Sequence, residues 1–125
     1  MLFAILFLTN IYSSYESARQ ALIRTSLPEV QASARQLAAA ARAEKQPAIA
    51  AKAGALASAK DIAAARSAFA ALSDEVIKVR ARTPGDRLAV AYCSMEKKSW
   101  LQPKGEIANP YVSASMRACG EFRDK

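Results

Sequence analysis

The apolar residues between positions 61 and 79 recur at steps of three and four, which places them along one face of a helix. The members of this heptad-like seam are Ile62, Ala65, Phe69, Leu72, Val76 and Val79. A lone coiled coil needs more heptads than the seam provides, so helices packed against one another explain it better. The pattern predicts a mainly α fold, an antiparallel bundle of three to four helices.

Two similar stripes precede the seam, and helix-breaking residues separate them. The stripes consist of Ile11, Tyr15, Ala18 and Leu22, and of Val30, Ala34, Leu37 and Ala41. Between them, Ser26 is expected to cap a helix whose first turn contains Pro28. That helix ends before Pro47, because proline cannot continue its hydrogen bonds. A weak alanine-rich helix over residues 48–60, short enough to merge with the next one, completes the helical part.

The chain changes character after a turn predicted at residues 83–86. Residues 88–92 are a short apolar, β-prone run and predict a strand. The remainder is rich in turn residues and contains both cysteines. Residues 87–125 are therefore expected to form a small C-terminal β/irregular cap on the helices, and function is expected to lie there.

Residues 1–10 form an apolar segment ahead of a single domain that is expected to span residues 11–125. The apolar run is less than half a membrane span, and neither a basic region nor a small-residue cleavage site accompanies it. Three interpretations are open: the remnant of a secretion signal that starts upstream, a short membrane-facing end, or the first turns of a core helix. We expect the first, because large apolar side chains all around a helix avoid water.

Composition excludes most catalytic chemistry. The 125 residues contain no histidine, which removes histidine-dependent triads, His-Glu-x-x-His zinc sites and imidazole acid–base catalysis. Two cysteines are too few for a four-cysteine zinc or iron–sulfur site. Alanine fills 29 positions, which suits close helix packing rather than a deep pocket. We therefore predict that the protein is not an enzyme.

The net charge of +7 comes from 18 Lys and Arg against 11 Asp and Glu, and such a charge attracts phosphate and anionic surfaces. The basic residues are spread along the chain, however, and aromatic residues do not alternate with them as they do in a single-strand binding platform. The charge thus predicts a solubilising surface, and nucleic acid is not an expected partner.

The chemistry that remains rests on sulfur. Cys93 and Met95 are two residues apart, as on one side of a strand, and Met116 and Cys119 are three apart, as on one side of a helical turn. If the two segments meet, two thiolates and two thioethers surround one centre. Such soft ligands select Cu(I) or Ag(I) over zinc, calcium or magnesium. Arg117 is expected to lower the pKa of a neighbouring cysteine and so to strengthen the site.

The same residues support a different interpretation. A Cys93–Cys119 disulfide would close a loop of about 27 residues and stabilise the cap by about 3 kcal/mol. Met95 and Met116 would then be ordinary apolar fillers. Free thiols without a function are a third alternative, and the residues by themselves leave all three open.

Four further residues are expected to support the cap rather than to bind a ligand: Trp100, Asn109, Pro110 and Tyr111. A sole tryptophan beside a leucine is typical of a small core. Asparagine followed by proline is typical of a fixed turn, because proline locks its own φ and asparagine favours turn conformations.

These cap residues also carry a resemblance to a known family. Cys93-Ser94-Met95, Trp100-Leu101, Ile107-x-Asn109-Pro110-Tyr111 and Met116-x-x-Cys119-Gly120 resemble the C-P-M, W-L, I-x-N-P-Y-x-G and M-x-x-C-G signature of a family of exported bacterial domains of unknown function. The helical run Arg66-x-x-Phe69-x-x-Leu72-Ser73 is similar to that family's R-x-x-F-x-x-L-S, and the similarity extends over residues 11–122. Ser94 departs from the family's proline, and Ser113 or Ala114 stands where the family has a glycine.

The family occurs as stand-alone periplasmic or lipid-anchored proteins, and fused to periplasmic adaptor subunits of copper- and silver-type heavy-metal efflux pumps. The resemblance therefore implies an exported, periplasmic protein, in contact with the membrane only through residues 1–10, whose partner is an efflux adaptor or another envelope protein. The sequence thus predicts a Cu(I) or Ag(I) binding domain of metal resistance or efflux. Its expected ligands are Cys93, Met95, Met116 and Cys119. The alternative is a disulfide-stapled interaction module of the cell envelope that binds no metal.

Overall fold

The computed structural model describes residues 2–80 and 88–123, with side chains from Ile11 onwards. These residues form four α-helices, α1 (Leu2–Ile23), α2 (Leu27–Ala43), α3 (Pro47–Ala57) and α4 (Ile62–Arg80). Strands β1 (Leu88–Cys93) and β2 (Lys98–Pro103) follow, then a 3-10 helix (Ala114–Met116) and strand β3 (Glu121–Phe122). The prediction of a mainly α fold with a small C-terminal β part is confirmed. The predicted turn at residues 83–86 lies outside the described residues.

The first helix includes most of the apolar N-terminal segment. α1 continues without interruption from Leu2 to Ile23, so the segment and the start of the predicted domain share one helix. Met1 lies outside the described residues. Within the part of the chain that the structure describes, no helix combines the length and the apolarity needed to cross a membrane.

The helix boundaries follow the predicted breaks but differ in two details. Ser26 occupies the N-cap position of α2, yet its hydroxyl makes no capping hydrogen bond, so the expected serine cap is wrong. The carboxylate of Glu29 in the first turn accepts a hydrogen bond from Arg24 Nη2 instead. α3 ends at Ala57 and does not merge with α4. A new helix starts because Asp61 Oδ1 accepts the backbone N–H of Ala64 at 2.7 Å, which caps the first turn of α4.

The predicted apolar stripes face the core. The fully buried members of the seam in α4 are Ala65, Phe69, Leu72 and Val76, and all the members of the stripes in α1 and α2 are fully buried as well. Consecutive helices pack against one another, and α4 also packs against β2. The many alanines on these faces allow close approach of neighbouring helices.

The cap contains a three-stranded antiparallel sheet in the order β2-β1-β3. In its register Val90 pairs with Leu101 and Ala91 with Trp100, while Tyr92 pairs with Glu121 on the other edge. Only β1 was predicted from the apolar pattern; Trp100 and Leu101 belong to a strand and not to an irregular segment. β2 has no alternation of apolar and polar positions, so its strand conformation comes from pairing with β1 and packing on α4.

A buried hydroxyl network joins the cap to the helices. It consists of Tyr15 on α1, Ser73 on α4 and Tyr111 in the cap. The Tyr15 hydroxyl lies 2.6 Å from Ser73 Oγ and accepts the backbone N–H of Leu101 at 3.0 Å. The Tyr111 hydroxyl bonds to Ser73 Oγ at 3.2 Å and to the Ser99 carbonyl at 2.6 Å. Burial raises the pKa of both tyrosines, which therefore remain protonated donors.

We predict that Tyr15→Phe lowers the free energy of unfolding by about 1–3 kcal/mol, because the buried Leu101 N–H loses its acceptor. Tyr92→Phe is the matched control, since Tyr92 is half-buried and stacks under Arg123 through its ring, which the substitution keeps. The control is expected to cost less than about 0.5 kcal/mol. Urea unfolding measures both values; equal losses in the two variants would contradict the role given to Tyr15.

Candidate metal centre

The four sulfur-bearing side chains of the cap lie at four different places in the chain. Cys93 is the last residue of β1 and is fully buried. Met95 lies in the turn between β1 and β2 and is 56% exposed. Cys119 is half-buried in the segment before β3, and Met116 ends the 3-10 helix with 39% exposure. The sulfurs thus range from the interior of the cap to its surface.

Pairing of β1 with β3 brings three of these sulfurs together. Because Tyr92 lies opposite Glu121 in an antiparallel ladder, the chain just before β3 runs past Cys93. Cys119 Sγ lies 3.8 Å from Met95 Sδ, and the Cys93 thiol is near enough to raise the pKa of the Cys119 thiol. Both cysteines are free thiols. We refer to Cys93, Met95 and Cys119 as the sulfur cluster.

Met116 has a different place in the cap. Its backbone carbonyl accepts the N–H of Cys119 at 2.9 Å, which closes the turn that carries Cys119. Its thioether makes no hydrogen bond within residues 88–123 of the described chain. The structure therefore gives Met116 a backbone role, and its membership of a four-sulfur site stays a prediction.

The turn between β1 and β2 wraps around Cys93. The backbone N–H of Glu96 donates to Cys93 Sγ at 3.4 Å, and the N–H of Lys97 donates to the Cys93 carbonyl at 2.7 Å. Lys97 closes the turn in the left-handed region, with φ of 56°. The turn thus supplies Cys93 Sγ with a backbone hydrogen-bond donor.

Cys119 lies in a less favourable environment for a thiolate. Partial burial raises the pKa of the Cys119 thiol, and the neighbouring Cys93 raises it further. The expectation that Arg117 lowers a cysteine pKa is wrong. Its guanidinium donates instead to the carbonyls of Asn109 and Val112, both at 2.7 Å, and of Ile23 at 2.9 Å. A ligand that requires the thiolate of Cys119 would therefore have to displace its proton.

Asn109, Pro110 and Tyr111 hold the Cys119 segment in place. The buried Asn109 side chain donates from Nδ2 to the Cys119 carbonyl at 2.7 Å and accepts the Tyr111 N–H at Oδ1 at 2.8 Å. The Asn109 N–H donates to the Arg117 carbonyl at 2.8 Å. The sequence identified a turn here. It did not identify the bond to Cys119, which connects residues that no local pattern relates.

Trp100 forms the wall behind this segment. It is fully buried, and its Nε1–H donates to Gln102 Oε1 at 3.0 Å. Gly120 has φ of 148°, and a Cβ at that position would lie 2.8 Å from Trp100 Cη2. The glycine is therefore required both for its conformation and for the close approach of the indole.

The sequence did not predict two groups that position the cysteines, Gly120 and the backbone N–H of Glu96. Gly120 was noted only as a turn residue, although a glycine directly after Cys119 was a usable signal for a positive φ. The Glu96 N–H is a backbone group, and no side-chain pattern identifies it. Its contact with Cys93 depends on the length of the β1–β2 turn.

Comparison with protein-family models, curated proteins and solved structures finds no match for this chain. Among the described residues, no three His, Cys, Asp or Glu side chains converge as a metal ion would require. A metal at the sulfur cluster would thus need thioether sulfur in addition to the two thiols, a donor set that fits soft monovalent ions.

We predict that Gly120→Ala destabilises the fold by more than about 2 kcal/mol, because the new methyl group meets both an unfavourable φ and the Trp100 ring. Gly54→Ala is the matched control, since Gly54 lies within α3 with no atom within 4 Å of an added Cβ. The control is expected to stabilise the protein by about 0.5–1 kcal/mol. Thermal unfolding followed by Trp100 fluorescence measures the stability change of each variant. The two changes must have opposite signs.

Proposed function

We propose that the protein binds one Cu(I) or Ag(I) ion through the sulfur cluster of Cys93, Met95 and Cys119, with Met116 as a fourth ligand. The observation that supports the proposal is the juxtaposition of two free thiols with a thioether 3.8 Å from one of them. Two thiolates and thioether sulfur form a soft donor set, and no imidazole competes, since the chain has no histidine.

The graded exposure of the three sulfurs suits uptake of a metal ion from solvent. Met95 is exposed, Cys119 is half-buried and Cys93 is fully buried. An arriving ion meets the neutral thioether first, without a desolvated charge to overcome. Binding to the two thiols then releases their protons, since metal ligation requires thiolate. The ion is cargo in this proposal, and the protein catalyses no reaction.

The proposed setting rests on the sequence resemblance described above. It supports an exported, periplasmic protein of metal resistance or efflux whose partner is an efflux adaptor or another envelope protein. We also infer that the four helices form an antiparallel bundle, supported by their short connections and the packing of consecutive helices. The bundle is the scaffold that carries the cap.

A disulfide-stapled envelope module without metal is the second candidate. The proximity of the Cys93 and Cys119 thiols favours it, since neighbouring thiols need little movement to be oxidised. An exported protein experiences oxidising conditions in which such bonds persist. Thiol titration of protein purified without reductant separates the candidates: two free thiols support the metal site, and none supports the disulfide.

We predict that the fully reduced protein binds one equivalent of Cu(I) in competition with a chromophoric Cu(I) chelator under anaerobic conditions. Met95→Leu is expected to weaken binding at least about tenfold, because it removes a ligand and keeps the side-chain volume. Cys119→Ser is expected to weaken it further, by about 100-fold or more. Met116→Leu tests the proposed fourth ligand in the same assay.

Ser94→Ala is the matched control for these variants, because Ser94 is an exposed residue of the same turn and bears no sulfur. Its affinity should equal that of the unsubstituted protein within twofold. If the reduced protein takes up no Cu(I), or if Met95→Leu and Ser94→Ala behave alike, the sulfur cluster is not a metal site.

We predict that Cu(I) affinity falls as the pH is lowered. The raised pKa of Cys119 means that its thiol is protonated at neutral pH, so binding must release that proton. Between pH 8 and pH 6 the binding constant is expected to drop by about 10-fold or more per pH unit. Cys119→Ser should show a shallower slope, because one fewer proton is released. A pH-independent affinity would contradict ligation by Cys119.

A further inference from the structure

Three arginines donate to the backbone of residues 108–112, and within residues 2–80 and 88–123 only one of them has a carboxylate partner. Arg19 is buried and donates from Nη1 to the Ala108 carbonyl at 2.7 Å, while its Nε and Nη2 bond to both carboxylate oxygens of Glu16 at 2.7 Å. Its charge is therefore balanced within the fold.

Arg66 on α4 and Arg117 after the 3-10 helix converge on one carbonyl. Arg117 Nη1 lies 2.7 Å from the Val112 oxygen, and Arg66 Nη2 lies 3.3 Å from it. Two guanidinium groups that share one acceptor repel each other. Burial and the Arg66 charge together lower the pKa of Arg117. We refer to Arg66 and Arg117 as the arginine pair.

The arginine pair has no counter-charge among the described residues. The ion pairs recorded within residues 2–80 and 88–123 join other groups, and neither arginine has an acidic partner there. In the same part of the chain, Arg66 Nε is buried and has no hydrogen-bond partner. A buried donor on a charged group without a partner is costly, and a bound ion is one of the few arrangements that explain it.

We propose that the arginine pair, where α4 meets the 112–117 segment of the cap, binds a small oxyanion of the phosphate or carboxylate class. Such an anion neutralises both guanidinium groups and offers an acceptor to Arg66. A guanidinium fork can donate two parallel hydrogen bonds to two oxygens of a phosphate or a carboxylate. Both arginine side chains are partly exposed.

The anion site is separate from the sulfur cluster and uses different chemistry. Arg117 donates to the Asn109 carbonyl, and Asn109 in turn donates to the Cys119 carbonyl, so one residue lies between the two sites. An oxyanion is a hard ligand that does not compete for soft sulfur donors. Anion binding can therefore be measured on metal-free protein.

The test is isothermal titration of the metal-free full chain with inorganic phosphate, at an ionic strength held constant with sodium chloride. Saturable binding of one phosphate per chain is expected. Arg66→Gln should weaken it at least tenfold, and Arg35→Gln, at an exposed arginine of α2, should change it less than twofold. Acetate in a parallel titration shows whether a carboxylate also serves as the ligand.

Two measurements keep the test decisive if Arg66→Gln does not fold. Arg66→Lys keeps the charge and loses the planar guanidinium, so an intermediate loss of binding is expected. Phosphate should also raise the melting temperature of the unsubstituted protein beyond the effect of sodium chloride at equal ionic strength. If neither anion binds saturably, or if Arg66→Gln and Arg35→Gln are equally impaired, the proposal is wrong.

Discussion

The architecture depends on a buried chain of hydroxyl groups between helices and cap. Tyr15, Ser73 and Tyr111 come from three distant parts of the sequence, and their hydroxyls connect in one buried network. This network also satisfies backbone groups of β2, the Leu101 N–H and the Ser99 carbonyl, which lie where the strand meets the helices. Without those partners, β2 would leave polar backbone groups unpaired in an apolar environment, and such groups are costly. The network therefore stabilises the packing of the cap on α1 and α4.

The positions of the residues in the sulfur cluster depend on this packing of the cap on the helices. Tyr111 is held by the hydroxyl network, and the adjacent Asn109 binds the backbone of Cys119. Trp100 packs edge-on against Tyr111, with ring centroids 5.9 Å apart, and its indole limits position 120 to glycine. The thiol of Cys119 is thus positioned by a rigid aromatic and amide frame, while Met95 sits on an exposed turn.

Local patterns in the sequence predicted the helical part well. The three- and four-residue steps identified Phe69, Leu72 and Val76 as core residues, because helical periodicity translates directly into burial on one face. The same seam contained a further signal: Ser73 lies four residues after Phe69 on that face, and a polar residue there needs a buried partner. β2 was not predicted, since Lys98–Pro103 carries no strand periodicity and becomes a strand only by pairing with β1.

By itself, the sequence determined the helical segments, the core faces and the kind of chemistry open to the chain. A protein with no histidine and two cysteines has sulfur atoms as its soft metal ligands, whatever fold the chain adopts. Only the tertiary structure decided that Cys119 meets Met95, 24 positions away, and that Arg117 turns to backbone carbonyls and away from the thiols. The reason is physical: spacing along a chain fixes which side chains share a helix or strand face, whereas strand register and buried hydrogen bonds between distant segments fix which faces meet.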